Sequence, residues 1–149
     1  MLHRLLVLVL VSLITTPLAA QESAPAPAPA PMTRLDSAAT IATGRKYTEW
    51  FYSDLGDSII AHSSAQVREK ITAAQLSDIV GQVTAQAGPE VSVISETVVP
   101  RDSLSAYLRE AKFELMDEPL IVVFTLGGTG DIYGFRIFPK SQMPADQPK

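Results

Sequence analysis

The sequence predicts an α+β fold in which N-terminal helices pack on a four-stranded antiparallel sheet. Apolar residues recur at steps of three and four through the first half of the predicted domain, and at steps of two after Val91. Short turns separate the last three strand-like segments, which favours an antiparallel meander over alternating β-α-β units. A chain of 149 residues with no internal repeat is expected to hold one domain.

The first predicted helix begins after a capping sequence at Thr33–Asp36. Its core-facing positions, with Trp50 beside them, are Ile41, Gly44, Tyr47, Phe51 and Leu55. Gly44 costs about 1 kcal/mol relative to Ala inside a helix, which indicates that another group packs closely against it. Gly56 is predicted to end the helix as a left-handed C-cap.

Three further helical segments are predicted before the strands. Two are short and cover Asp57–His62 and Ser64–Ile71. The third begins at a capping box formed by Thr72 and Gln75. Its apolar stripe is Leu76, Ile79, Val80, Val83 and Ala87. Gly88 is expected to end this helix by adopting the left-handed conformation.

The alternation of apolar and polar residues after Val91 predicts four strands. The first covers Val91–Val99 and the second Tyr107–Leu115. The second strand has a core-facing side, made of Tyr107, Arg109, Ala111, Phe113 and Leu115. Its other side is expected to face water and carries Leu108, Glu110, Lys112 and Glu114. Leu120–Leu126 is an unbroken apolar run, typical of a central strand or one covered on both faces. Gly127–Gly130 predicts a hairpin loop that leads into a last strand, Asp131–Phe138.

The segments outside the predicted domain, residues 35–140, carry export and linker signals. Residues 1–20 combine a positive start, an apolar stretch and small residues before a cut, so we expect a signal peptide cleaved near Ala20. The stretch is shorter than the roughly 20 residues needed to span a membrane, so no stable span is expected after cleavage. Residues 21–34 predict a Pro/Ala-rich linker and residues 141–149 a disordered tail. The mature chain is expected in the periplasm or outside the cell.

Composition excludes several kinds of chemistry. The chain has no Cys, which excludes disulfides and thiol nucleophiles, and removal of the signal leaves His62 as the one histidine. A net charge of −4, more negative once Arg4 is removed, argues against binding nucleic acid. The Gly-rich loop lacks the Lys-Ser/Thr of a phosphate-binding loop, and no Gly-x-Ser-x-Gly elbow occurs. No catalytic residue, metal or cofactor is therefore predicted.

Several motifs resemble an exported bacterial family, the domain-of-unknown-function 3887 family. Gly130–Pro139 resembles its closing strand, and Tyr107–Phe124 resembles its paired central strands. The break at Gly56 resembles the one between its first helices, and Gln86–Gly88 resembles the end of its next helix. The resemblance covers about Ser37–Pro139. It implies a nuclear-transport-factor-two-like cone, a curved sheet wrapped round helices with a pocket between them.

Arg109 is the polar residue that the pattern places on the core-facing side of a strand. A buried arginine needs a partner, so it reaches a carboxylate, extends to water, or lines a cavity and meets an anionic ligand. Trp50 and Tyr107 are either core aromatics or line the mouth of the same cavity. The predicted ligand-binding residues are therefore Trp50, Tyr107 and Arg109.

We expect a non-catalytic module that binds a small ligand or a protein partner, or that pairs with itself through its sheet. One alternative is an enzyme of the isomerase or dehydratase type, with His62, Asp54 or Asp57 as acid–base groups inside the cone. Helix capping and turn formation explain the same three residues without catalysis. The other alternative is a structural module, with the Pro/Ala-rich stalk presenting a dimer.

Overall fold

A computed structural model describes residues 33–143 of the chain. Four helices come first: α1 (Ser37–Tyr52), α2 (Gly56–Ala61), α3 (Ala65–Arg68) and α4 (Ala73–Ala87). Four strands follow: β1 (Glu90–Arg101), β2 (Leu104–Phe113), β3 (Leu120–Leu126) and β4 (Ile132–Pro139). The α+β prediction is confirmed. The predicted export signal, most of the predicted linker and residues 144–149 lie outside the described residues.

The strands form one antiparallel sheet in the order β1-β2-β3-β4, as the predicted meander requires. Tyr107 on β2 lies opposite Phe124 on β3, which lies opposite Phe135 on β4. Residues directly opposite each other share a face of the sheet. These three define the helix-facing side, because they pack with α1 residues in the main core. The other face is called the outer side below.

Helix α1 lies against the helix-facing side at Gly44. Asp36 caps the helix by accepting a hydrogen bond from the backbone N–H of Ala39 at 2.8 Å. A Cβ atom on Gly44 would lie only 2.2 Å from Cγ of Tyr107. The close packing predicted at this glycine is thus confirmed, and the group that it admits is the fully buried Tyr107 ring.

The end of α1 differs from the prediction. The helix ends at Tyr52, and Leu55 is exposed instead of joining the core face. Asp54 takes the left-handed conformation expected of Gly56, with φ 56°. Gly56 instead begins α2 and is buried. The backbone of α4 packs closely against it, since a Cβ there would lie 3.0 Å from the Ala73 carbonyl oxygen.

The fourth helix follows its sequence signals. Thr72 and Gln75 form the predicted capping box, and Leu76, Val80 and Ala87 are buried. Gly88 ends the helix with a positive φ of 72°, as expected, but its ψ of −169° is extended and not the left-handed helical value. Of the two shorter helices, α3 ends at Arg68 rather than Ile71.

The outer side of the sheet is partly covered, contrary to the prediction for β2. Leu108 was expected to face water but is only 6% exposed, because it packs in an apolar cluster with Ala106 and Ile121. Burial of Ile121 agrees with a β3 strand covered on both faces. Leu115, placed in the core by the pattern, is 63% exposed because β2 ends at Phe113.

The cover comes from residues just after β4. Lys140–Gln142 form a 3-10 helix, and Met143 packs against the outer cluster. The backbone N–H of Lys140 donates to the Pro119 carbonyl at 2.9 Å, and the Ser141 hydroxyl donates to Glu118 at 3.0 Å. The predicted disordered tail is therefore wrong for residues 141–143, which are fixed by these contacts.

Candidate functional site

Arg109, the predicted anion-binding residue, pairs with carboxylates of its own chain. Its Nη2 lies 2.5 Å from Glu90 Oε1 and its Nε lies 3.1 Å from Glu90 Oε2, a two-point ion pair. Its Nη1 lies 3.3 Å from Glu96 Oε1. The three side chains are only 14–16% exposed. Of the three fates considered for Arg109, the structure shows the first.

Irregularities in β1 bring both carboxylates within reach of Arg109. Glu96 lies directly opposite Arg109, and regular pairing from there would set Glu90 opposite Leu115. Register shifts after Glu90 and after Val93 set Glu90 opposite Phe113 instead. Two positions along a strand are about 7 Å, so the bulges bring Glu90 close enough for the ion pair.

Glu96 is the centre of this polar cluster and has no free oxygen for catalysis. Arg45 of α1 donates to both carboxylate oxygens, with distances of 2.5 to 3.0 Å, and the Tyr107 hydroxyl donates to Oε1. The hydrogen bonds from Arg45 and then from Tyr107 lower the pKa of Glu96 to about 2, although burial opposes them. Such a group stays ionised at neutral pH and ties α1 to the sheet.

This low pKa predicts acid sensitivity. The ordinary pKa of 4.5 falls to about 2 on folding, so the stabilisation is fully present above pH 4.5 and is lost as the pH falls toward 2. We expect the free energy of unfolding to drop by about 1 to 2 kcal/mol over that range through Glu96, allowing for solvent screening. Urea denaturation at several pH values measures the free energy of unfolding, which should fall less between pH 4.5 and 2 for Glu96→Gln than for the wild type. An equal fall in both proteins would contradict the assignment of the low pKa to Glu96.

Tyr107 and Trp50 do not join in one cavity mouth around Arg109. The Tyr107 ring is fully buried beneath Gly44, and burial followed by the hydrogen bond to Glu96 raises its pKa to about 12. Trp50 lies on α1 about 140° round the helix from Arg45, the helix residue of the Glu96 cluster. Its ring contacts His62, with centroids 5.0 Å apart, and lies under the Lys46 ammonium at 4.3 Å.

The residues on which the enzyme alternative depended are all exposed. His62 caps α2, and its Nδ1 lies 2.9 Å from the Ser58 carbonyl oxygen. Asp54 occupies the turn after α1, and Asp57 lies in the first turn of α2. None of them lies between the helices and the sheet, where the alternative needs an acid or base.

A groove of about 570 Å³ lies on the outer side of the sheet. Its floor follows from strand register: Ala106 lies opposite Thr125, which lies opposite Gly134. Three small residues therefore cross β2, β3 and β4 in one row. Larger side chains that also line the groove include Leu104, Leu108, Tyr133, Phe138 and Met143. We call this site the outer groove.

The residues of the outer groove were not predicted as a site. The available signal was the pattern of β3 and β4, where outward positions carry the apolar residues Val123 and Phe138 beside Arg136. The row of small residues could not be recognised without the strand register, because its members are far apart in the sequence. The contribution of Met143 was hidden by the polar composition of the segment that carries it.

Comparisons with family models, curated proteins and solved structures find no match for this chain. Within residues 33–143, no helix has both the length and the apolar content to cross a membrane. The same residues contain no group of three or more side chains of the types that hold metal ions.

Proposed function

We propose that this chain is an exported, non-catalytic binding protein whose ligand occupies the outer groove. The proposed ligand is a small molecule with an apolar chain. We further propose that the domain is of the nuclear-transport-factor-two-like cone type, as the resemblance of Gly130–Pro139 to the domain-of-unknown-function 3887 family implies. The observation that carries the binding proposal is the row Ala106–Thr125–Gly134, which leaves a depression in the partly covered outer side of the sheet.

Size and lining support this assignment. A volume of about 570 Å³ falls within the usual range of small-molecule sites, and apolar side chains form much of the lining. The sequence-predicted site offers less to a ligand. Arg109 already holds two carboxylates there, and the Tyr107 ring is packed beneath α1.

The homodimer alternative would place a second copy on the same face. A symmetric dimer buries the same patch of both copies. The groove is lined by Arg101 and Arg136 and by no Asp or Glu of residues 33–143, so two copies would bring like charges together. Sedimentation of the mature protein tests this alternative, and a stable dimer sealed by the outer side would contradict the ligand proposal.

Filling the floor of the groove is expected to weaken binding. A Cβ on Gly134 would make only ordinary contact, 3.7 Å from Thr125 Cβ, so Gly134→Val adds volume without a clash at Cβ. Valine also suits a strand better than glycine. We expect the fluorescence of the neutral dye N-phenyl-1-naphthylamine to rise on binding the wild type. Its affinity for Gly134→Val should fall at least about tenfold, the equivalent of about 1.4 kcal/mol.

Ser92→Val is the matched control. Ser92 lies on the outer side opposite Lys112, is exposed, and does not line the groove. This variant should bind the dye as the wild type does. Absence of dye binding to the wild type, or equal binding by Gly134→Val, would contradict the proposed function.

A further inference from the structure

The outer groove is cationic although the chain is acidic. The sequence has 16 Asp and Glu against 12 Lys and Arg, a formal charge of −4. Arg101 and Arg136 nevertheless line the groove, and no Asp or Glu of the described residues lines it. A local excess of positive charge in an acidic protein favours an anionic partner at that place.

The two arginines of the groove differ from the other arginines of residues 33–143. Four arginines donate to protein oxygen atoms: Arg34, Arg45, Arg68 and Arg109. The side chains of the remaining two, Arg101 and Arg136, make no hydrogen bond or ion pair within the described part of the chain. The arginines whose donors are unused are thus the two that line the groove.

Strand register places these cations beside apolar surface. Arg136 lies opposite Val123, which lies opposite Leu108, so the guanidinium extends from the end of an apolar row. Arg101 lies opposite Leu104 at the far end of β1. The row of small residues, at Ala106 on β2, runs between these two positions. An apolar chain on the floor could therefore direct an anionic group to either arginine.

We infer that the outer groove takes an amphiphilic carboxylate, with its apolar chain over the small residues and its head against Arg136 or Arg101. This inference rests on the proposed function and adds the charge of the ligand. A guanidinium matches a carboxylate because its planar donors reach both oxygens. An acid with a single apolar chain suits the groove best, since its volume of about 570 Å³ accommodates one small molecule.

Displacement of the bound dye tests the inference. Dodecanoate, dodecanol and dodecyltrimethylammonium share one chain length and differ in head charge, so they are titrated below their aggregation concentrations. Dodecanoate should half-displace N-phenyl-1-naphthylamine at about a tenfold lower concentration than dodecanol, the ratio that one charge-assisted contact at a wet site provides. Added salt should reduce this advantage.

The double variant Arg101→Met/Arg136→Met should lose the preference for dodecanoate while it keeps its affinity for dodecanol. Lys112→Met is the control, because Lys112 is a cation on the outer side that does not line the groove. Equal displacement by dodecanoate and dodecanol in the wild type would overturn the inference, and so would a preference that survives the double variant. Either result leaves the proposed function standing, whereas failure of every amphiphile to displace the dye would count against it.

Two further experiments distinguish the proposed ligand from two other occupants of the groove, which are residues 144–149 of the chain and an anionic membrane surface. A variant lacking residues 144–149 should bind dodecanoate with unchanged affinity. A large gain would identify that segment, which includes Asp146, as the natural occupant and would overturn the inference. Binding to vesicles of anionic phospholipid without binding to monomeric dodecanoate would overturn it as well, because the groove would then recognise a surface.

Discussion

Gly44→Ala is expected to destabilise the protein by about 3 kcal/mol or more. The added Cβ would lie 2.2 Å from Cγ of Tyr107, and that ring is fully buried. The ring cannot move freely, because its hydroxyl donates to Glu96, which Arg45 and Arg109 also hold. Overpacking of a fixed core site costs about 1 to 3 kcal/mol and occasionally more. Against a typical total of about 5 to 15 kcal/mol, this loss should be plain in urea denaturation.

Gly81→Ala provides the matched comparison. Gly81 also lies inside a helix, α4, but a Cβ there would have no other atom within 4 Å. This variant should gain about 1 kcal/mol from helix propensity alone. Wild-type stability in Gly44→Ala would contradict the packing of α1 against Tyr107.

Arg109→Met is expected to destabilise the protein by about 3 kcal/mol. Removing the guanidinium leaves Glu90 without its two-point partner and removes one of the donors to Glu96, in a place where both carboxylates are only 14% exposed. Breaking a buried ion pair from one side costs about 3 to 5 kcal/mol, and the lower end suits groups that keep some contact with water. Chemical denaturation at neutral pH measures the loss.

A compensating variant separates the ion pair from simple packing. Arg109→Met/Glu90→Gln removes the unpaired charge and should recover about half of the lost stability. Arg45→Met should cost much less than Arg109→Met, because the Arg45 side chain is 62% exposed. No recovery in the double variant would show that Arg109 acts through its packing and not through its charge.

Local signals in the sequence were sufficient for several elements. The capping box at Thr72 and the stop at Gly88 define α4, since each depends on residues a few positions apart. The apolar run Leu120–Leu126 coincides with β3 because flanking turns limit it on both sides. Gly44 was recognised as a close contact, although the sequence alone does not name Tyr107 as the group that fills it.

Features that depend on register were not accessible in this way. The need of Arg109 for a partner was clear, but the identity of Glu90 depends on two bulges in β1. Bulges change the pairing by single residues, and the hydrophobic pattern of an exposed edge strand does not mark them. Asp54 takes the positive φ predicted for Gly56, whereas Gly56 lies in α2, where an added Cβ would lie 3.0 Å from the Ala73 carbonyl oxygen of α4.

The outer side illustrates the same limit at the level of function. Polar composition predicted disorder from residue 141, yet Met143 packs on the sheet and lines the groove. Alternation in β2 predicted a wet face because Leu108 is followed by Glu110 and Lys112. Its burial depends on Phe138 and Met143, which reach it only through the fold.

Chemical-shift mapping by NMR tests the central claim most directly, because it asks which face of the sheet receives a ligand. Isotope-labelled protein would be titrated with N-phenyl-1-naphthylamine and then with dodecanoate. We predict that the largest changes occur at Ala106, Thr125 and Gly134, the floor of the outer groove. Changes centred on Trp50 and Arg109, with the groove floor unaffected, would contradict the account and place the ligand between the helices and the sheet.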